Sequence, residues 1–549
     1  MPLLKIADGT VYDPLHQIDG EVRDLWIQDG QVIAAPAMDV KADRVIDARG
    51  LVVMPGGVDM HCHIAGSKVN AARQMRPEEK RGSVLPRRGK FRSGTIGSVP
   101  STFATGYLYA GLGYTAAFDA AIPPLAARHV HEEFQDTPII DKGFYVMLGN
   151  HQYVLQQLKT GEEERLRHFL GWIMGAAKAY GVKIVNPGGV ETWKQSQGNM
   201  RSLDDLVPHF QVTPRQILQG LARNADALGL PHPVHIHCNN LGIPGNWETT
   251  LETMRALDGH RGHLTHIQFH SYGGDPGDQS TFCSKVPELV EYLSGHPELS
   301  VDVGQVLFGH TTSMTGDGPL GYFLHRVLGS KWYSADVEME GGCGISPIVY
   351  KNKSLVHALQ WAIGLEWYLL MDDPWRIAMS TDHPNGGAFH AYPQIIALLM
   401  DRHRREEVLQ KLPPEVRNYC VLGELTREYS LREIAIITRA GPARLLGLTR
   451  KGHLAPGADG DVSLYQPDPD LQRMFELPRY VIHRGEVIID DGELRSQPPG
   501  AVFYVNPEFD DDCLPDIENW FNDHYSLKFA NYAVEDSLLA SAEEIHCDP

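Results

Sequence analysis

The order of apolar and polar segments divides the chain into three kinds of region. Short alternating runs separated by turn residues fill residues 1–55, as in DGEVRDLWIQDGQVIA, and return at 451–505, as in YVIHRGEVIIDDGEL. This spacing is typical of short antiparallel strands joined by tight turns. Between these regions, strand-like runs alternate with helix-like ones, for example YVMLGNH followed by ERLRHFLGWIMGAAKAYG. Such alternation predicts β/α units around a parallel sheet.

These patterns together predict an α/β architecture. We expect a (β/α)8 TIM-like barrel over residues 56–450, inserted in a small β-sandwich domain that both chain ends form, from 1–55 and 451–505. Residues 506–549 are strongly acidic but keep several aromatic residues. That composition indicates an ordered extension docked on the rest of the protein, and it argues against a free tail.

Composition narrows the setting in which the protein works. Hydrophobic residues make up 42% and charged residues 21% of the 549 residues, which is typical of a globular protein. The chain has no uninterrupted apolar run of membrane-spanning length, and its N-terminus lacks a signal-peptide pattern. The seven cysteines are scattered without any CxxC pair, which argues against disulfides, iron–sulfur clusters and zinc knuckles. We therefore expect a cytoplasmic protein, and the net charge of −20 disfavours nucleic acid or anionic membrane as a partner.

Histidines follow several of the predicted barrel strands. Barrel enzymes place their functional residues at the C-terminal ends of the strands. In LVVMPGGVDMHCHIAG, His61 and His63 lie two residues apart on a strand end, so they point to the same side while Cys62 faces away. In PVHIHCNN, His237 is the preferred ligand because it is nearer the strand end, and His235 points the same way but lies deeper.

Two later segments add more ligand-type side chains. HLTHIQFHSYGG offers His266 and His270 on one face by parity, and Asp382 ends the strand in RIAMSTDHPNGG. Each feature alone is weak, because a single HxH is commonly structural and an Asp after a strand is commonly a turn residue. The joint pattern predicts a metal site, and nitrogen and carboxylate ligands without thiolate suit Zn²⁺, although they also permit other divalent ions.

The same motifs carry a resemblance to a known family. HCH on the first barrel strand, a β domain from both ends and Asp on the last strand resemble the amidohydrolase superfamily. GVKIVNPGG, VHIHCNNLG, HIQFHSYGG and STDHPNGG resemble more closely the A subunits of formylmethanofuran dehydrogenase and of the bacterial formyltransferase/hydrolase complex. The resemblance covers nearly all of residues 1–505.

This resemblance implies a role in one-carbon metabolism. The reaction would be hydrolysis of the N-formyl group of a methanofuran-type (methylofuran) coenzyme to formate and free amine, or the reverse condensation. The partners would be the other subunits of a formyltransferase/hydrolase complex or, alternatively, those of a tungsten or molybdenum formate dehydrogenase. No redox-cofactor motif occurs in this chain, so redox chemistry would belong to such partners.

The resemblance also implies a ligand set. Lys183 in GVKIVNPGG matches a strand lysine that CO₂ carboxylates in many amidohydrolases; taken without the family, it is a lysine that packs its stem. His61, His63 and Asp382 would hold one Zn²⁺. Lys183, His237 and His270 would hold a second, if two ions are bound, with His266 and His235 as possible ligands. Asp382 would take the proton of the attacking water and deliver it to the leaving amine.

A basic segment follows the HCH strand. Residues 68–92 contain nine Lys or Arg and only two acidic residues, in a chain that is acidic overall. Either this segment binds a partner protein, or Arg87, Arg88 and Arg92 attract the anionic tail of the coenzyme at the mouth of the site. Asn239 lies beside a ligand position and is a candidate for binding the formyl group, although asparagine is also common in barrel loops.

Two other functions remain open at this point. A cyclic amidohydrolase of the dihydroorotase or hydantoinase type would share the metal site, but the NPGG, NNLG and FHSYGG motifs argue against it. The other alternative is that the chain serves as an inactive scaffold within a larger complex. Retention of every ligand type argues against that function.

Overall fold

The computed structural model describes residues 2–37, 39–82, 84–85, 89, 91–335, 343–539 and 541–548, so Arg87 and Arg88 lie outside the described residues. The α-helices of this part of the chain are α1 Ser67–Met75, α2 Thr102–Gly111, α3 Ala127–Asp136, α4 Gln152–Thr160, α5 Glu163–Ala177, α6 Gly189–Ser196, α7 Pro214–Ala227, α8 Trp247–Ala256, α9 Val286–Ser294, α10 Gly318–Leu328, α11 Leu355–Leu370, α12 Tyr392–Met400, α13 Arg402–Leu409, α14 Leu431–Ala435, α15 Gly441–Leu445, α16 Leu471–Glu476 and α17 Leu514–His524.

The strands fall into a barrel, a terminal sheet and three small hairpin-like sheets. In chain order they are β1 Leu4–Asp13, β2 Ile18–Gln28, β3 Gln31–Ile33, β4 Arg44–Asp47, β5 Val52–Pro55, β6 Gly57–Cys62, β7 Val84–Leu85, β8 Gly94–Thr95, β9 Tyr114–Ile122, β10 Asp141–Met147, β11 Gly181–Val185, β12 Val234–His237, β13 Gly262–Leu264, β14 Tyr272–Asp275, β15 Asp278–Ser284, β16 Leu299–Asp302, β17 Gly309–Thr315, β18 Tyr333–Ala335, β19 Cys343–Tyr350, β20 Ile377–Ala378, β21 Val462–Tyr465, β22 Tyr480–His483, β23 Glu486–Asp490, β24 Glu493–Leu494, β25 Val502–Tyr504 and β26 Ala542–Glu544.

Eight parallel strands form the predicted barrel. They pair in the order β6, β9, β10, β11, β12, β13, β16 and β20. A parallel bridge between Cys62 and His383, beside a 2.8 Å bond from the His63 N–H to the His383 carbonyl, joins the last strand to the first. Every residue of β9, YTAAFDAAI, is buried, as expected for a parallel strand that is covered on both faces. The (β/α)8 fold predicted from the sequence is confirmed.

Both chain ends build the second part of the fold. β1–β5 from the N-terminal region and β21–β24 from the C-terminal region form one nine-stranded sheet, in which β5 pairs with β21. Its core is made of alternate apolar residues such as Ile6, Val11, Val53 and Leu464. The period-2 pattern in the sequence reflects this burial of one face.

The acidic C-terminal segment is packed on the barrel. The Phe529 ring stacks on Trp172 of α5 with ring centroids 4.4 Å apart, and Phe521 of α17 packs against the same indole. Strand β26 pairs with β25, which in turn meets β10 of the barrel. Packing of these aromatic rings against the barrel explains why the segment keeps its aromatic residues despite its high charge. In the described part of the chain, every helix is too short or too polar to cross a membrane.

A buried charge network joins the barrel to the terminal sheet and the C-terminal segment. Lys451 Nζ lies 2.7 Å from Asp141 Oδ2 of barrel strand β10 and 2.6 Å from Asp461 Oδ2. Arg484 connects the same Asp141 oxygen, at 3.0 Å, to Glu543 of β26, at 2.9 Å. Because removing one member of a buried ion cluster leaves the others unpaired, the network makes the three regions depend on one another for stability.

His483 makes this network sensitive to alkaline pH. Its ring lies 3.0 Å from Asp461 Oδ1 and 3.4 Å from Asp141 Oδ1, and although burial opposes it, these carboxylates raise the pKa of His483 to about 9. A raised pKa stabilises the folded state fully below the unfolded value near 6.5, and this contribution is lost as pH rises through 9. The free energy of unfolding should therefore fall by about 2–3 kcal/mol between pH 6.5 and 9.5.

Urea unfolding at a series of pH values measures this slope. His483→Asn, which keeps a polar group near Asp461 but does not titrate, should flatten the slope over this range. An unchanged slope in His483→Asn would contradict the assignment.

Candidate metal centre

The HCH segment and the last strand meet at the C-terminal end of the barrel. His61 Nε2 and His63 Nε2 lie 2.9 Å and 3.0 Å from the same oxygen, Asp382 Oδ1. Cys62 points away, and its Sγ contacts the Phe118 carbonyl at 3.2 Å in the barrel wall. Two imidazoles and a carboxylate, brought together from opposite ends of the barrel sequence, thus converge on one point.

The middle strands contribute three more side chains to the same cavity. Lys183 of β11, His237 at the end of β12 and His266 just after β13 line it together with the HCH histidines and Asp382. Lys183 is buried, and its Nζ has no hydrogen-bond partner among the described residues. Burial lowers the pKa of Lys183 to about 7, with the Asp302 and Asp382 carboxylates opposing the shift. A substantial fraction of this amine is therefore unprotonated near neutral pH.

The structure places His266, the alternative ligand, in the cavity in front of His270, the preferred one. Strand β13 ends at Leu264, and His266 adopts a left-handed conformation (φ 36°), so the strand alternation stops before His270. His266 lines the cavity and lies with His61 and Asp382 in a group whose ligand atoms are within 4.8 Å of one another. The His270 ring lies behind it, with its centroid 5.2 Å from that of His266 and 5.4 Å from that of His237.

A glycine on the neighbouring strand end allows this position of His266. Gly304 has a positive φ of 69°, and a Cβ at that position would come within 2.4 Å of the His266 Cβ. Any side chain at Gly304 would therefore displace His266 from the cavity.

Two carboxylates that the sequence patterns did not predict contact the HCH histidines on the side away from Asp382. Asp302 Oδ2 at the end of β16 lies 3.2 Å from His61 Nδ1, and Asp119 Oδ1 of β9 lies 3.5 Å from His63 Nδ1. Asp119 also accepts the main-chain N–H of Ile64 at 2.7 Å. Both carboxylates occur in apolar strands, LSVD and AAFDA, and a buried Asp within a strand was the signal that could have identified them.

His235 lies deeper, as predicted from its place on the strand. Its Nε2 lies 2.9 Å from His61 Nδ1, on the side of that ring away from Asp382. His235 is not among the residues that line the cavity, whereas its strand neighbour His237 is. The His237 Nε2 atom lies 3.2 Å from Asp317 Oδ2, a carboxylate at the start of α10.

The electrostatics of the site favour a cation. His61 has a raised pKa because the Asp302 and Asp382 carboxylates outweigh the opposing effect of burial. His266 and His61 hold the pKa of Asp382 well below its usual range, again against burial. A buried cluster of imidazoles, an unpaired amine and carboxylates is a donor set that suits a divalent ion such as Zn²⁺.

The predicted substrate-binding residues lie outside this cavity. The Asn239 side chain donates hydrogen bonds to Asn186 Oδ1 at 2.8 Å and to the Pro187 carbonyl at 3.0 Å, while its own Oδ1 has no partner among the described residues. Arg92 is exposed, stacks over the Phe103 ring at 4.4 Å and lies 3.6 Å from Asp136.

A second cavity adjoins the first. The two share Leu241, Leu320 and Phe323 as lining residues. Trp193 and Tyr322 face this second cavity with their ring centroids 5.9 Å apart, and Arg326 lies at its edge. The two cavities are therefore adjacent: the candidate metal ligands line the first, and an aromatic pair and an arginine line the second.

The fold and the site define the class of protein. Residues 44–489 match the family model described as "Amidohydrolase family", and the chain belongs to this family. The family resemblance predicted from the HCH, NPGG and Asp382 motifs is thus confirmed.

Within the family the chain is similar over its full length to particular proteins of one-carbon complexes. It is 43% identical to "Protein FwdA" of Methanocaldococcus jannaschii, over 99% of this chain and 98% of that protein. It is 38% identical to the A subunit of the formyltransferase/hydrolase complex Fhc of Methylorubrum extorquens, over 99% of this chain and 100% of that protein. The crystal structure of the Methylorubrum extorquens FhcABCD complex with methylofuran contains a chain that superposes with a TM-score of 0.94 and 37% identity, with 100% of both chains covered.

Proposed function

We propose that this chain hydrolyses the N-formyl group of a methylofuran-type coenzyme, releasing formate and the free amine, as the A subunit of a formyltransferase/hydrolase complex. The observation that carries the proposal is the convergence of six ligand-type side chains in one cavity of a chain that matches the Fhc A subunit from end to end. The six are His61, His63, Lys183, His237, His266 and Asp382.

The donor set fits a zinc centre. His61, His63 and Asp382 would hold one ion, while Lys183, His237 and His266 would hold a second; His266 is favoured over His270 because only the former lines the cavity. When bound, Zn²⁺ supplies Lewis acidity toward the formyl oxygen and toward a water molecule. The unpaired Lys183 amine is suited to react with CO₂, forming an N–C bond and releasing a proton, so that a carbamate oxygen becomes available as a ligand.

Asp382 is the residue that moves the proton. Its low pKa keeps it ionised at neutral pH, so it can accept a proton from the attacking water and pass it to the amine nitrogen as the C–N bond breaks. Apolar side chains of the cavity wall, such as Leu241, Phe269 and Ile348, limit the access of bulk water to this transfer.

The second cavity offers room for the part of the coenzyme that does not react. The Trp193 and Tyr322 rings provide flat apolar surfaces, and no acidic partner of Arg326 is found among the described residues. We assign the second cavity to the anionic tail of the coenzyme, with Arg326 facing a carboxylate. The basic segment 68–92, with Arg92, remains the second candidate for this role.

Replacing Arg326 tests the assignment of the tail. Arg326→Gln should raise KM for the formylated coenzyme about 5–10-fold at low salt, with kcat nearly unchanged, because a rim charge acts mainly on capture of the substrate. The increase should shrink as salt is added. The matched variant Arg92→Gln, at an exposed arginine already paired with Asp136, separates the two candidates: a rise in KM there and not in Arg326→Gln would move the tail to the basic segment.

The activity itself is tested with the complex purified with its own partner subunits. Formate release from the formylated coenzyme should depend on zinc, whereas dihydroorotate and hydantoin should not be hydrolysed. Turnover of the cyclic amides alone would favour a dihydroorotase-type enzyme. Absence of zinc from the active complex would contradict the proposal. Co-purification of a partner with molybdopterin and iron–sulfur centres, and not a formyltransferase, would indicate the dehydrogenase complex.

A further inference from the structure

A column of hydrogen-bonded histidines runs from the metal centre down the barrel. His61 Nδ1 lies 2.9 Å from His235 Nε2, and His235 Nδ1 lies 2.9 Å from His232 Nε2. His232 Nδ1 lies 2.8 Å from the Leu445 carbonyl oxygen, at the end of α15. All three rings are fully buried. Barrel interiors are generally filled by branched apolar side chains, so a polar column here calls for a function.

The last acceptor fixes the direction of every bond in the column. A carbonyl oxygen can only accept, so His232 must carry its hydrogen on Nδ1. In a neutral ring Nε2 is then an acceptor, and His235 must donate to it from Nδ1. The His235 Nε2 atom is in turn an acceptor, and His61 must donate to it from Nδ1. With Nδ1 committed to the column, His61 Nε2, the atom 2.9 Å from Asp382, is the ring nitrogen that remains for a metal ion.

Burial supports the neutral state of the lower rings. It lowers the pKa of His232 well below its usual range, and the nearby His263 acts in the same direction. Two other atoms can accept the hydrogen on His61 Nδ1, namely Asp302 Oδ2 at 3.2 Å and the hydroxyl oxygen of Thr265. Asp302 is held in turn by the Ser380 hydroxyl at 2.5 Å.

We propose that His232 is a positioning residue that, through His235, sets the tautomer of His61 so that Nε2 is available to a metal ion. The inference rests on the proposed zinc centre. His232 lies five residues before His237 in the sequence and does not line the cavity, so it acts only through the chain of hydrogen bonds. Removing a partner that orients a metal-ligating histidine generally lowers the metal affinity about 10–100-fold.

Two substitutions of His232 separate this function from simple packing. His232→Asn can keep a donor for the Leu445 carbonyl, because an Asn amide matches the position of Nδ1, but it removes the acceptor that faces His235. The longer His232→Gln can place an amide oxygen near His235. Zinc affinity, measured on the purified complex by competition with a chelator, should fall about 10-fold in His232→Asn and recover in His232→Gln. The visible spectrum of the cobalt(II)-substituted complex should change in the Asn variant only.

A second buried histidine provides the matched control. His131 is fully buried and contacts the Ala177 carbonyl through Nε2 at 3.0 Å, but its other ring nitrogen has no partner among the described residues. His131→Asn should therefore keep wild-type zinc affinity and cobalt spectrum. An equal fall in His131→Asn and His232→Asn, or unchanged affinity in His232→Asn, would overturn the inference.

The test remains decisive if His232→Asn does not fold. His235→Phe keeps a ring of similar shape but removes both nitrogens of the middle member of the column, and it should also lower zinc affinity about 10-fold. Unchanged affinity in His235→Phe would then overturn the inference. A wild-type complex that binds no zinc would refute the proposed function itself, which distinguishes the two failures.

Discussion

Replacing Asp382 with Asn should lower kcat for formate release about 10²–10⁴-fold, while zinc remains bound to the complex. The amide cannot accept the proton of the attacking water, so the step in which Asp382 passes that proton to the amine is lost. His61 and His63, whose Nε2 atoms converge on the Asp382 oxygen, would still hold the ion. Formate release and zinc content, measured on the same preparation, check both parts of this expectation.

Asp59→Asn is the matched control for this substitution. Asp59 is also fully buried and close to the site, but it accepts the main-chain N–H of His61 at 3.0 Å and the hydroxyl groups of Tyr109 and Tyr392. Asp59→Asn removes a buried carboxylate but leaves Asp382, the proposed proton acceptor, in place. Most activity should therefore remain. Wild-type turnover in Asp382→Asn would refute the role of Asp382. Loss of zinc together with activity would show that Asp382 acts mainly as a ligand.

The parts of the site that could be predicted are those that local periodicity determines. His61 and His63 belong to one strand end, and their parity alone indicates that both point to one side. The ligand candidates at other strand ends then follow from the fold, because the C-terminal ends of parallel barrel strands meet at one face. For this reason His237 and Asp382 were predicted from their strands, whereas Lys183 was expected only from the family resemblance; the structure brings all three into one cavity.

Other parts depend on geometry that the sequence does not contain. The choice between His266 and His270 rested on strand parity, but the strand ends before His266 and the backbone turns left-handed there. Asp302 contacts His61 across the barrel, at a separation of 241 residues, and no local pattern predicts such a contact. Similarly, Arg326 lies next to the second cavity only because of how α10 packs, whereas the basic segment is the more visible feature in the sequence.

Lys183→Ala should lower the activity about 10²-fold or more and should also lower the zinc content. The reason is that it deletes a proposed ligand itself, not a residue that supports a ligand. If the functional group is a carbamate, a small carboxylate such as propionate should enter the space vacated by the side chain and restore part of the activity. Lys183→Met should lose activity to the same extent but resist rescue, because the methionine side chain fills that space.

The chemical nature of the rescuing molecule decides the state of Lys183. The amine is buried and unpaired, and its pKa of about 7 leaves a large neutral fraction near pH 7, which is the form that reacts with CO₂. Rescue of Lys183→Ala by propionate, and not by ethylamine, is therefore the expected result. Rescue by ethylamine alone would instead mean that the free amine is the working group and that Lys183 would supply no carbamate oxygen to a metal ion. The same pair of additives applied to Lys183→Met controls for effects of either compound elsewhere on the complex.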